Sequence, residues 1–195
     1  MMVKICGITN REDALAAIEA GATALGFNFW SGSPRYIDPE SAGDLLALVP
    51  SHVWKVGLFV NELPQKVANL AARLGLDIVQ LHGNQPPPEE LRVWKAVQVT
   101  PAFTMDQLND PRVDAFLLDA ASGARHGGTG QTFDWNLVQT TARRIVLAGG
   151  LDASNVGQAI QMVRPWGVDA CSRLESAPGR KDHRKMQDFI KAALS

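Results

Sequence analysis

Arg144-Ile145-Val146-Leu147-Ala148, then Gly149-Gly150-Leu151-Asp152, then Ala153 to Val163, then Val168 to Cys171: this stretch decides the fold. Its first part is a short, continuous apolar run, as expected of a parallel strand buried on both faces. Its glycine pair reads as a turn. Ala153 to Val163 places Val156, Ile160 and Val163 on one helical face, and a second apolar strand follows. Strand, turn, helix and strand in this order make a βαβ unit.

Working outward, the same alternation runs from end to end. The other strand candidates are Val3 to Cys6, Ala24 to Phe29, Trp54 to Val60, Ile78 to Leu81, Trp94 to Val99 and Ala115 to Asp119. Arg11 to Ala20 carries Ala14, Leu15 and Ile18 on one face, and Pro64 to Leu74 carries Val67, Leu70, Ala71 and Leu74. Asn10, Asp38 before Pro39, and Asp152 are candidate helix N-caps. Gly21 and Gly75 sit where helices should stop. Pro86 to Leu91 and Thr104 to Leu108 are short, so helices four and five are expected to shrink to a turn or so. Eight βα units point to an α/β protein, a single compact (β/α)8 TIM barrel over residues 1–195, near the lower size limit of that fold. An open doubly wound sheet is the alternative; the repeat count favours the barrel.

Composition narrows the function. The net charge of −1 is spread along the chain, with no basic block for nucleic acid or a membrane surface. No apolar run reaches the roughly 18 residues that span a bilayer. The chain enters its first strand at once, without a signal-peptide pattern. Two cysteines make no disulfide framework, so a reducing cytoplasm is expected. The four histidines are scattered and no metal-ligand spacing recurs. With neither a Rossmann fingerprint nor a P-loop, no metal and no organic cofactor is expected. The expected partner is a small phosphorylated substrate, and the chain is expected to be a monomer or a homodimer.

In such barrels the active site lies at the C-terminal ends of the strands, and polar residues gather there. Cys6 ends the first strand; Asn28 lies in the second, whose loop carries Arg35. Asn61 follows the third, Gln80 and His82 mark the fourth, and Asp119 ends the sixth. Gly149 and Gly150 follow the seventh, and Ser172 and Arg173 the eighth. Cys6 reads as a nucleophile or base, or as a small buried hydrophobe. Asp119 reads as a catalytic carboxylate or a helix cap. Gly149 and Gly150, between a strand and a helix start, read as a phosphate-binding turn. The Gly127 to Gly130 run reads as a loop that closes over substrate or is merely flexible. Arg35 suits a carboxylate or phosphate. His82 is a base or, preferably, a residue that fixes its own loop.

Several stretches, in order, resemble the phosphoribosylanthranilate isomerase family. They are Lys4-Ile5-Cys6-Gly7-Ile8-Thr9, Arg35-Tyr36-Ile37, Val56 to Asn61, Gln80-Leu81-His82-Gly83, Leu117-Leu118-Asp119, Gly128 to Trp135 and Leu147 to Leu151. Asn155-Val156 and Pro178 to Asp182 extend the match over essentially the whole chain. The resemblance implies an Amadori rearrangement in tryptophan biosynthesis, without a cofactor. It implies that Asp119 is the general acid and Cys6 the general base, with Asp119 raised in pKa and Cys6 lowered. It implies that Arg35 holds the anthranilate carboxylate. Gly149 and Gly150, with Asp169, Ser172 and Arg173, would cradle the phosphate, His82 would face the substrate, and the loop around Gly128 would cover the site.

One departure stands out. Where the family usually reads Ser-Ser-Gly-Val-Glu, this chain has Cys171-Ser172-Arg173-Leu174-Glu175. Arg173 would be strained if that position needs φ > 0; an added phosphate contact is the preferred reading. Cys171 is expected to neighbour Cys6 across strands one and eight, open to oxidation if the Cα atoms lie within about 7 Å. The rival functions are another phosphosugar barrel (an epimerase or the histidine-pathway isomerase) and a phosphate-binding barrel without catalysis.

Overall fold

The structure, a computed structural model, describes residues 1–120, 132–138 and 141–195. The expected loop around Gly128 lies outside them. Eight parallel strands follow one another around a closed barrel: β1 (Met2–Cys6), β2 (Ala24–Asn28), β3 (Trp54–Val60), β4 (Ile78–His82), β5 (Val93–Val99), β6 (Ala115–Ala120), β7 (Ile145–Leu147) and β8 (Gly167–Ala170). Every strand read from the sequence is present, displaced by no more than one residue at either end. The open-sheet alternative falls because β1 pairs with both β2 and β8.

Among the described residues, five α-helices pack outside: α1 (Arg11–Glu19), α2 (Ala42–Leu46), α3 (Pro64–Leu74), α4 (Val156–Val163) and α5 (His183–Leu194). Asn10 caps α1 by accepting from the Asp13 N–H at 2.9 Å. Gly75 ends α3 in the left-handed region, with φ 60°. Asp38 and Asp152 do not cap helices. Each accepts in a tight turn, from the N–H of Glu40 at 3.0 Å and of Ser154 at 2.8 Å, about one turn ahead of α2 and α4. Short aspartate side chains favour such turns as readily as caps. No helix joins β4 to β5, and a 3₁₀ turn at Met105–Leu108 joins β5 to β6, the shortening expected for helices four and five. Pro86-Pro87-Pro88 supplies no backbone donors for a helix. After β8 come a 3₁₀ turn (Ser172–Leu174), a two-stranded antiparallel ribbon of β9 (Glu175–Ala177) and β10 (Arg180–Lys181), and then α5. No helix among the described residues is long and apolar enough to cross a membrane.

The two-residue period of a strand sorts side chains into two layers. On β1, Val3 and Ile5 face outward and share a core with Met186, Phe189 and Ile190 of α5. Met2, Lys4 and Cys6 are left to the barrel interior. At the amino-terminal end the interior is plugged by Trp54, Trp94 and Trp166, with ring centroids 5.8 to 6.2 Å apart. The register of β1 on β8 sets Lys4 beside Asp169 and Ile5 beside Ala170, so Cys6 comes level with Cys171. Lys4, with no exposed surface, donates to Asp169 Oδ1 at 2.8 Å.

Removing one partner of a buried ion pair strands the other charge, at a cost of about 3–5 kcal/mol. Lys4→Met is therefore expected to lower unfolding free energy by about that amount in chemical denaturation. The double variant Lys4→Met/Asp169→Leu should recover most of it. A single-variant loss below about 1 kcal/mol would show that the pair is not buried in this way.

Candidate active site

The strand ends of β1, β4, β6, β7 and β8 open into a cavity of about 430 Å³. Cys6, Arg35, His82, Asp119, Gly149, Gly150, Asp169, Ser172 and Arg173 all line it, with Asn28 and Gln80. Asn61 does not. It adopts φ 49° in the loop after β3, where its side chain accepts from the Asn84 N–H at 3.2 Å.

Asp119, the last residue but one of β6, turns its side chain inward. Its Oδ1 accepts the Ala120 N–H at 2.8 Å. Burial pushes its carboxyl up to about 7, the Asp169 carboxylate adds to the rise, and the Ala120 N–H opposes it. A carboxyl in that range keeps a proton to donate near neutrality. Gly149 makes the acid's neighbourhood possible. It has φ 82°, and a Cβ there would stand 2.7 Å from the Ala120 nitrogen and 3.1 Å from Asp119 Oδ1. The turn through Gly149 and Gly150 thus presents bare main chain to the cavity. Asn155 Nδ2 holds it by donating to the Gly150 carbonyl at 2.9 Å.

Across the cavity, Cys6 and Cys171 are both free thiols and neighbours, each the largest influence on the other's proton affinity. Level residues on paired strands lie about 4.8 Å apart, inside the span that a disulfide needs, so the expected closeness of the two cysteines holds. The expectation that Cys6 is lowered does not. Cys171 and burial hold Cys6 well above the usual thiol range, against the pull of Lys4. Cys171 is the thiol drawn down, to about 6, by Cys6 and then by Lys181 and Arg35, with burial opposing. Room for Lys4 and Cys6 comes from Gly26 on β2, where a Cβ would meet Cys6 Sγ at 2.9 Å and Lys4 Cε at 3.0 Å.

Arg35 reaches the cavity held in a bidentate pair: its Nε and Nη2 donate to Glu175 Oε1 and Oε2 at 2.8 and 2.7 Å. The pair fixes the guanidinium plane and leaves three of its five N–H groups for other acceptors. Lys181, its side chain wholly buried, also donates to Glu175, at 3.0 Å. Arg173 is not strained. It lies in the 3₁₀ turn after β8, outside the left-handed region, and donates to Asp152 Oδ2 at 2.5 Å across the cavity rim. Gln80 Nε2 donates to His82 Nε2 at 2.8 Å, the local bond preferred for His82.

Lys4, Glu175 and Lys181 went unread as site residues. Lys4 carried a usable signal, since it stands two positions before Cys6 and must share its face. Glu175 and Lys181 carried none: Glu175 meets Arg35 across 140 positions. Among the described residues no cluster of His, Cys, Asp or Glu is placed to hold a metal ion.

Fold and site together define a (β/α)8-barrel enzyme of the acid–base kind, with an acid and a thiol over one cavity beside a glycine turn. The family model for N-(5′-phosphoribosyl)anthranilate isomerase matches residues 3–192, and the chain belongs to that family. It is 50% identical to the N-(5′-phosphoribosyl)anthranilate isomerase of Solibacter usitatus over 196 residues, covering 99% of this chain and 97% of that one. The crystal structure of phosphoribosyl anthranilate isomerase from Thermotoga maritima superposes with a TM-score of 0.92 at 44% identity, covering 100% of this chain and 98% of that one. A further structure of this isomerase, in complex with reduced 1-(o-carboxyphenylamino)-1-deoxyribulose 5-phosphate, superposes at 0.88 with 42% identity and the same coverage.

The raised Asp119 has a stability consequence. Its folded value of about 7 exceeds the ordinary 3.8, so the folded state binds the extra proton between those limits. The stability this lends is full below the lower value and lost as pH rises to the upper one, on the order of 4 kcal/mol in all. Asp119→Asn does not titrate. Relative to wild type it should gain a few kcal/mol between pH about 4 and about 8 in denaturant unfolding. A pH-independent difference would show that the carboxyl is not held protonated.

Proposed function

We propose that this chain converts N-(5-phosphoribosyl)anthranilate to 1-(2-carboxyphenylamino)-1-deoxyribulose 5-phosphate, a step of tryptophan biosynthesis. One observation carries the reading: the carboxyl of Asp119 and the thiol of Cys6 line the same cavity, beside the Gly149–Gly150 turn.

The Asp119 carboxyl protonates the ribose ring oxygen, and the C1–O bond opens to a protonated Schiff base. That cation draws electrons from C2 and acidifies its hydrogen. Cys6, as thiolate, removes the C2 proton, and the electron pair forms the enolamine, which tautomerises to the ketone. Oxidation at C2 balances reduction at C1, so no external oxidant is needed. Arg35, its plane fixed by Glu175, holds the anthranilate carboxylate. Gly149, Gly150, Asp169, Ser172 and Arg173 surround the phosphate end, and His82 faces the substrate from β4.

All these groups come from one chain, so the chemistry runs in a monomer or in a homodimer. Two neighbouring free thiols suit the reducing cytoplasm.

Anthranilate fluorescence follows the reaction, because the substrate's emission falls on turnover. Wild type should quench freshly prepared substrate. Cys6→Ser and Asp119→Asn should each lose about 10²- to 10⁴-fold in kcat while remaining folded. Unchanged emission with wild type would favour a barrel that only binds phosphate.

Arg173 supplies a cation at the rim, aligned by Asp152. Arg173→Ala should weaken competitive inhibition by inorganic phosphate by roughly tenfold or more. Unchanged or tighter inhibition would remove Arg173 from the phosphate site.

A further inference from the structure

Cys171 has no part in the reaction as written, yet its sulfur lies among charged groups. Besides Cys6, Lys181 Nζ approaches its Sγ at 3.8 Å and its carbonyl oxygen at 3.3 Å, and Glu175 Oε1 lies 3.9 Å from the sulfur. The groups facing the thiol pair come from every neighbouring element. They are Lys4 on β1, Arg35 after β2, His82 on β4, Asp119 on β6, Asp169 on β8, Glu175 on β9 and Lys181 on β10.

Their charges do not cancel. Lys4, Arg35 and Lys181 bring three positive charges. Asp169 and Glu175, each in an ion pair with them, bring two negative ones. Asp119 as general acid carries its proton and adds none. One positive charge is left over in a buried cluster, where uncompensated charge is costly. A single thiolate in the Cys6–Cys171 pair neutralises it. Two thiols leave the excess in place, and two thiolates overshoot.

We propose that Cys171 is a positioning residue of the acid–base machinery: the two sulfurs hold one proton between them, and Cys171 takes it from Cys6 so that Cys6 meets the substrate as a thiolate. The catalytic part of this inference rests on the isomerase reading; the sharing of the proton does not. The Cys6 S–H bond breaks as the Cys171 S–H bond forms, and the charge passes from Cys171 to Cys6. The C2–H bond of the ring-opened substrate then breaks. Its proton goes to Cys6 and its electron pair to the new C1=C2 bond, while the C1=N π pair returns to nitrogen. Both positions of the charge are supported, by Lys181 and Arg35 at Cys171 and by Lys4 at Cys6. The downward shift of Cys171 and the upward shift of Cys6 give the resting arrangement, with the proton on Cys6.

The test combines ultraviolet thiolate titration of the whole protein, without substrate, with the pH profile of kcat/KM, for wild type, Cys171→Ala and Cys171→Ser. Wild type should lose one thiol proton below the ordinary thiol range and the second well above it. In Cys171→Ala the thiolate titration and the acid limb of kcat/KM should rise together by about one pH unit or more, with KM nearly constant. Cys171→Ser keeps a hydroxyl donor to the Cys6 thiolate but cannot accept its proton, so it should recover part of the shift. It also carries the test should the alanine variant fail to fold. Two independent ordinary thiol titrations in wild type, or an acid limb that stays fixed in the variants, would overturn the proposal. A wild type that titrates as a pair without turnover upholds the shared proton and removes the isomerase reading. Turnover with an unmoved limb does the reverse.

Discussion

A lysine with no exposed surface stands inside the barrel, and its need for a counter-charge governs everything above it. Lys4 faces inward because Val3 and Ile5 must face the helices. Cys6, two residues on, faces inward for the same reason. The pairing of β1 with β8 then puts Asp169 level with Lys4 and Cys171 level with Cys6. One register therefore creates both the ion pair and the thiol pair. A slip by one residue would turn Lys4 into the apolar layer of Phe189 and Ile190 and leave Asp169 buried alone, and both changes are strongly unfavourable. The site's geometry is thus enforced by the same parity that closes the barrel.

The interior charges also separate the roles of two carboxyls on β6 and β8, with only β7 between them. Asp169 lies 2.8 Å from the Lys4 ammonium. Asp119 accepts only a backbone N–H in the described contacts, and it feels Asp169. Burial with a like charge nearby favours the protonated form. The acid on β6 and the thiol on β1 both feel this central pair, behind burial at Asp119 and behind Cys171 and burial at Cys6, whereas Cys171 answers to Lys181 and Arg35.

Much of this was legible from the sequence, and the limits have physical causes. Short, mostly apolar runs marked all eight strands, several of them continuous, because strands buried on both faces admit little else. Cys6, Asp119 and the Gly149–Gly150 turn were legible because they stand at strand ends, where this fold keeps its chemistry. The caps at Asp38 and Asp152 misled because an aspartate side chain closes a tight turn as readily as it caps a helix. The low-pKa thiol was assigned to Cys6 because a sequence does not show which of two adjacent sulfurs lies nearer Lys181 and Arg35. Glu175 and Lys181 went unread because their partners are distant in sequence and come together only when the ribbon after β8 folds back over the rim.

Shortened helices leave less cover for the barrel, yet the economy is unevenly placed. Along β4 to β6, loop side chains such as Phe103, Leu108 and Val113 cover the outer face and pack with Phe116 and Leu118. Around β1, β7 and β8 the cover is helical: α5 packs on α1, α4 and β1, so the last helix closes over the first strand. The Lys4–Asp169 pair and the thiol pair lie on this seam, between β1 and β8. Asp119, on the loop-covered side, makes a hydrogen bond to the N–H of the next residue and is shaped by burial, which tolerates small movements. Among the described residues, helical cover thus stands over the buried ion pair, and loop cover over the strands that lead to the acid.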